Sequence, residues 1–290
     1  MKYRTLAISF LFFLFPFGAL SASEPTFNSQ SKVLKNKYLN TVAFSFNKKK
    51  AAEEYLDQAQ QIIGDYSSIL RENKKERREV VRLVKKSLKL KETARAYLYL
   101  GHVDFMAFNS HGYKEGVKNY KKAIKLNPEY PEAFIALGTL HQNNDNYEDT
   151  ISNFKKAISL NDENEFLYAS IGEARKQMGD HKGAIVALKK AMKFNPSKAI
   201  IYIHSGQSKH FLGDYQGSIS DYSKAIKLKP EAGYSYYLRA FAYFSKKDST
   251  NGCKNLKDAS KYGFNTSEEI EKYCQKLVLR DGYKNLHYST

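Results

Sequence analysis

Ala123, Ala157, Ala191, Ala225 and Ala259 recur at a constant interval of 34 residues. The neighbouring positions keep the same step. Val117, Ile151, Ile185, Ile219 and Cys253 stand six residues before each Ala, and Tyr120, Phe154, Leu188, Tyr222 and Leu256 stand three before. A period of this size marks a chain built from small units, each burying its apolar face only against the next.

Within one period the spacing is helical. The apolar residues at minus six, minus three and zero fall on one face of an α-helix. Upstream, Gly138, Gly172 and Gly206 share the interval, Ala240 takes the same register and Gly101 is displaced from it. Glycine inside a helix costs about 1 kcal/mol relative to alanine, so its recurrence implies the close approach of a second helix. Turn-forming residues separate the two segments at Asp145-Asn146-Tyr147, Gly179-Asp180-His181, Gly213-Asp214-Tyr215 and Lys247-Asp248-Ser249. Pro128, Pro196 and Pro230 close three units, and Asp162 stands where a fourth proline would be. Each unit therefore reads as helix, tight turn, helix, and the chain as an all-α solenoid.

Phe134, Leu137, Gly138, Tyr147, Thr150, Phe154 and Ala157 together resemble the tetratricopeptide repeat, as do Tyr168, Ile171, Gly172, Ala184, Leu188, Ala191 and Pro196. Tyr202, Gly206, Tyr215, Ser218, Tyr222, Ala225 and Pro230 carry it further, and the resemblance extends over Ala94–Gly263. In the first unit the turn Phe108-Asn109-Ser110-His111-Gly112 is about three residues longer than in later copies. The last unit has Arg239-Ala240 and Gly252 where Leu-Gly and Ala are usual.

The expected organisation is an export signal over 1–23, an N-terminal helical region over 24–93, about five repeats over 94–262, and a C-terminal capping helix with a tail over 263–290. Lys49–Tyr66 and Lys74–Leu90 read as the two helices of a degenerate first repeat. Thr266 and Glu269 have the spacing of a capping box, with Ile270, Cys274 and Leu277 as the apolar stripe behind it. Residues before about Asn40 and after Asp281 read as loosely ordered.

The signal is carried by the basic start MKYR, the apolar run Leu6–Leu20 and the small residues Ser21-Ala22-Ser23. An uncleaved anchor is the alternative, disfavoured by the short run and by Pro16 and Gly18 near its end. Export to a bacterial periplasm, or secretion, is expected. With 47 Lys and Arg against 30 Asp and Glu the chain carries a formal charge of +17, which draws it toward anionic partners. Lys121-Lys122, Lys155-Lys156, Lys189-Lys190, Lys224 and Lys257 align into a basic ridge once the units stack. That ridge is either a dock for an anionic envelope component or a solvated face complementing helix dipoles. Nucleic acid is not expected, because arginine is sparse and the aromatics belong to the repeat pattern.

Cys253 sits in an inward register and Cys274 on the inward stripe of the cap helix. A disulfide and a pair of buried thiols both remain open. No HExxH pair, Cys/His metal spacing or phosphate-binding glycine loop occurs. Ser152 and Lys155 have an S-x-x-K spacing without its companion elements, and His204 and His210 fall on different helical faces. No catalytic or metal-binding residue, cofactor or small-molecule substrate is therefore expected.

The resemblance implies that the first helix of each unit lines a concave groove receiving a protein or peptide segment. Its lining would be Ile135, Thr139, Gln142 and Asn143, then Ala169, Glu173 and Lys176, then Ile203, Gln207 and His210, then Tyr237 and Phe241. Leu98, Ile135 and Ala169 occupy the place of the leading lysine with which chaperone-binding members clamp a C-terminal carboxylate, which argues against that ligand. A non-enzymatic adaptor of the cell envelope is the reading that results. The alternative is a surface-associating protein docked on anionic lipid or polymer through its lysines.

Overall fold

The computed structural model describes residues 27–64, 74–106 and 109–274, with side chains from residue 37 onward. The export-signal region, Leu277 and the tail after Asp281 lie outside the described residues. The chain divides into two units, Met1–Ala51 and Ala52–Thr290. A long helix, α1 (Phe27–Ile63), begins in the first unit and ends in the second.

The start of α1 corrects two expectations. Residues 27–40 are helical rather than loosely ordered, and the helix expected from Lys49 begins at Phe27. No Gly or Pro interrupts the sequence from Phe27 to Ile63, so nothing halts the helix until Gly64, whose φ of +55° ends it. In the first unit Tyr38, Leu39, Val42, Phe44 and Phe46 are exposed, and the Lys48 ammonium lies 4.4 Å from the centre of the Phe44 ring.

The second unit is an all-α solenoid. After the end of α1 and α2 (Lys74–Leu90) come five hairpins. They are α3 (Ala94–Phe105) with α4 (Ser110–Leu126), α5 (Pro131–Gln142) with α6 (Tyr147–Ser159), and α7 (Glu165–Gln177) with α8 (His181–Phe194). The series continues with α9 (Ala199–Phe211) and α10 (Tyr215–Leu228), then α11 (Gly233–Ser245) and α12 (Ser249–Lys261). A further helix, α13, occupies 267–274. Each helix packs on its hairpin partner and on the next helix in the chain, while α3 touches α5, α7 touches α9 and α9 touches α11. The first helices thus form one layer of the stack and the second helices the other.

The periodic residues make the seams. Ala123, Ala157, Ala191, Ala225 and Ala259 are all fully buried, and Tyr120, Phe154, Leu188, Tyr222 and Leu256 are buried just before them. The repeated glycines make room for these large side chains. A Cβ on Gly138 would lie 2.7 Å from the Phe154 ring, one on Gly172 2.6 Å from Leu188 Cγ, and one on Gly206 2.6 Å from the Tyr222 ring. Gly101 faces the Tyr120 ring in the same way. It is displaced in sequence only because the first hairpin carries three more residues between glycine and ring, so it is equivalent in space. The last hairpin exchanges the roles: its glycine, Gly252, lies on the second helix and faces Phe244 of the first.

Hairpin tips repeat as well. Asp145, Gly179, Gly213 and Lys247, again 34 residues apart, all have positive φ. The following Asp180, Asp214 and Asp248 accept from the backbone N–H of Gly183, Gly217 and Asn251 at 2.8, 2.8 and 3.1 Å, capping α8, α10 and α12. Where the unit-closing proline is missing, Asn161 with φ +66° ends α6 instead.

At the far end Thr266 makes a different bond from the one its spacing suggests. It is fully buried, and its hydroxyl donates to the Leu256 carbonyl at 3.1 Å, while Glu269 accepts from the Tyr237 hydroxyl at 3.2 Å. The capping box gives way to contacts that fasten α13 onto α11 and α12. Cys253 and Cys274 are joined by a disulfide between α12 and α13.

Candidate functional site

The first helices carry the groove positions, and what those side chains touch decides which of them face a ligand. Ile203 is buried with Ala199 and Ala225 and belongs to the core. Tyr237 and Phe241 pack under the cap: Tyr237 lies 4.6 Å from the Phe264 ring, and Phe241 5.9 Å from Tyr273, centre to centre. Ile135, Thr139, Gln142, Ala169, Glu173, Lys176, Gln207 and His210 are half-buried, and Asn143 is exposed at the end of α5. The first-helix positions nearest the C-terminus are thus covered, and those of α5, α7 and α9 remain partly accessible.

The middle is a polar ladder from one first helix to the next. Gln142 Nε2 donates to Glu173 Oε2 at 3.2 Å, and Lys176 Nζ donates to Gln207 Oε1 at 2.9 Å. Gln207 Nε2 donates to the Tyr234 hydroxyl at 3.0 Å. Lys176 Nζ also lies 3.0 Å from His204 Nδ1, and His210 Nε2 lies 3.1 Å from Ser245 Oγ. Thr139 turns inward on its own helix and donates to the Ile135 carbonyl at 2.9 Å.

Toward the N-terminus, among residues of the first three hairpins, lies an apolar pocket of about 470 Å³. Phe105 of α3, Ile135, Ala136 and Thr139 of α5 and Phe166 of α7 line it, with Glu132 among the lining residues. His102 and Tyr120 complete the lining; both are almost fully buried, and His102 Nδ1 lies 2.9 Å from the Tyr120 hydroxyl. Ile135 and Thr139 were expected here from sequence. Phe105, Ala136 and Phe166 were not, although one signal each pointed to Ala136 and Phe105. Ala136 is the small member of the column Ala136, Ser170, His204, Leu238, and the extra residues of the first hairpin bring Phe105 level with Gln142, Lys176, His210 and Phe244.

One buried and one half-buried histidine, His102 and His204, give this face a pH dependence. Burial holds the His102 pKa down to about 3, and burial together with the Lys176 charge holds His204 down to about 4. The unfolded chain accepts these protons near pH 6.5, whereas the folded chain refuses them until much lower pH. Stability is therefore full above pH 6.5 and falls as pH drops below it, by about 1.4 kcal/mol per pH unit for each histidine. Urea titrations at pH 7 and pH 5 should show this loss, and His102→Gln should flatten the slope. An unchanged slope in that variant would refute the assignment.

On the other layer the ridge lysines Lys121, Lys155, Lys156, Lys189, Lys190, Lys224 and Lys257 are exposed. Lys122 is half-buried and pairs with Glu92 at 3.0 Å, and Lys190 lies 5.0 Å from the Tyr168 ring centre. Ser152 and Lys155 line an open cleft of about 840 Å³ together with Lys156, Met178 and Arg175, which pairs with Asp180 at 3.5 Å. Among the described residues no helix is long and apolar enough to cross a membrane. Nor does any group of three or more His, Cys, Asp or Glu there have the placement to hold a metal ion.

Family models match this part of the chain. One described as a TPR repeat covers residues 112–145, and one described as a tetratricopeptide repeat covers 131–164, 167–198 and 199–231. No curated protein matches the sequence. Among solved structures, the MamA protein is 25% identical with a TM-score of 0.56, over 63% of this chain and 96% of that one. YrrB, described as a TPR protein with an unusual peptide-binding site, is 18% identical over 62% and 92%, with a TM-score of 0.55. PilF of Pseudomonas aeruginosa is 14% identical over 78% and 99%, with a TM-score of 0.61. The last two share the fold.

Proposed function

We propose that this chain, whose tetratricopeptide repeats stack into a solenoid, serves as a non-enzymatic scaffold holding a protein or peptide segment against its layer of first helices. The observation that carries this reading is the apolar pocket of about 470 Å³ lined by residues of α3, α5 and α7, whose Thr139 stands one turn before the ladder residue Gln142 on α5. An apolar hole beside ordered amides suits an extended segment: the pocket takes a side chain and desolvates it, and the amides answer the segment's own polar groups. YrrB, on the same fold, is described by its peptide-binding site, which gives such a role a precedent.

The proposal includes location. The basic start, apolar run and small residues of the first 23 positions support export to the envelope, and the joined cysteines accord with an oxidising compartment. A second reading rests on the exposed lysines of the outer layer, which would dock an anionic lipid or polymer and release it steeply as salt rises.

Selection of short random peptides on the full chain tests the groove. Ala136→Trp, at a half-buried position on the pocket wall, is expected to fill the pocket, leave the thermal midpoint nearly unchanged and weaken selected peptides about tenfold or more. Binding untouched by Ala136→Trp, yet abolished by moderate salt, would move the function to the lysine layer.

A further inference from the structure

We infer that Lys176 seats an acidic side chain of the bound segment, so that the partner is recognised by a carboxylate lying beside its apolar anchor. This rests on the groove reading and adds to it a chemical requirement on the ligand.

Lys176 is held by neutral groups. It projects from α7 into the polar ladder, half-buried, and two of its ammonium hydrogens meet neutral acceptors, His204 Nδ1 at 3.0 Å and Gln207 Oε1 at 2.9 Å. Other lysines on these layers have carboxylate partners: Lys122 with Glu92, Lys198 with Glu165 at 3.4 Å, and Lys209 with Asp221 at 2.7 Å. Lys176 differs from these: among the described residues its bonds go to His204 and Gln207, and Glu173 acts on it through charge alone. The nearest acidic neighbour, Glu173, lies one turn back on the same helix and accepts from Gln142.

The surrounding groups are fixed in orientation. Gln207 points its carbonyl at Lys176 because its amide nitrogen is engaged by Tyr234. His204, accepting from the ammonium through Nδ1, carries its proton on Nε2, and burial keeps the ring neutral. The result is a cation partly withdrawn from water, bonded to two neutral acceptors and only partly offset by the Glu173 charge on the same helix, with a hydrogen left to donate. Burial accordingly lowers the Lys176 pKa from its ordinary value. A carboxylate arriving there forms a charge-assisted bond in a setting drier than the surface, where such pairs are worth more than on a solvated rim. The exposed lysines of the outer layer offer no equivalent.

Peptide selection on the full chain tests this with three variants. On the wild type, Asp or Glu is expected at a constant offset from the apolar anchor. On Lys176→Gln the acidic preference should vanish while the apolar anchor persists, and on the outer-layer double variant Lys155→Gln/Lys156→Gln it should remain. Changing the selected Asp to Asn in a synthetic peptide should cost about tenfold on the wild type and nothing on Lys176→Gln. Glu173→Gln, which removes a like charge, should strengthen the acidic preference. An acidic preference that survives Lys176→Gln overturns the inference. So does its absence from a pool whose binding still depends on the Ala136 pocket, and in that case the groove reading stands. A pool indifferent to both positions overturns both.

Discussion

Cutting Phe154 back to alanine is expected to remove about 3–5 kcal/mol of stability and to lower the thermal midpoint by roughly ten degrees or more. The ring is fully buried, fills the space left by Gly138, meets Phe166 edge-on at 5.7 Å, and shares a cluster with Ala157, Leu167 and Ile171. Its loss leaves a hole where two hairpins share one core, and in a stack that transmits stability only between neighbours the hole separates the hairpins on either side. The reverse change exposes the same seam. Gly138→Val drives a branched side chain into the ring and should cost about 3 kcal/mol. At the next seam Gly172→Ala meets Leu188 Cγ, so shortening Leu188 to alanine should be less harmful in the Gly172→Ala background than alone. Thermal melts followed by circular dichroism measure all of these. A loss under about 1 kcal/mol for Phe154→Ala would mean that the seam is not the unit of stability.

The second large effect belongs to the Cys253–Cys274 bridge. Its two cysteines are 21 residues apart, and closing a loop of that size stabilises by about 3 kcal/mol through the entropy of the unfolded chain. Replacing both by serine should therefore lower stability by about that amount, and the change should be local. Amide protection is expected to fall in α13 and α12 while α5 to α8 keep theirs. Freed from the bridge, α13 would uncover Tyr237, Phe241 and Phe244, the aromatic floor it now covers. Equal loss of protection along the whole solenoid would show that the bridge supports global folding rather than the cap.

The scaffold could be read from sequence because its determinants are local and repeated. The spacing of Ala157, Ala191 and Ala225 reports helix period and hairpin length together, and the tips at Gly179 and Gly213 announce the turns. The groove was less accessible, since whether a first-helix residue faces a ligand depends on what the next element does. Tyr237 and Phe241 occupy groove register, yet α13 lies on them. Ile203 occupies it and sinks into the core. Lys176 was visible as a groove residue, but its pairing with His204 and Gln207 spans 28 and 31 residues and leaves no local trace. The start of α1 escaped for a different reason: a helix can extend through polar residues wherever no breaker forbids it, and apolar spacing does not mark its beginning.

Finally, the three additional residues of the first hairpin sit between Gly101 and Tyr120, and the glycine still meets its ring. Length added beside a tip is therefore invisible to the seams, whereas length added within a helix would rotate every contact beyond it. This makes the tips at Asp145, Gly179, Gly213 and Lys247 natural splice points, where an epitope or a reporter loop can be grafted while the stack keeps its pitch.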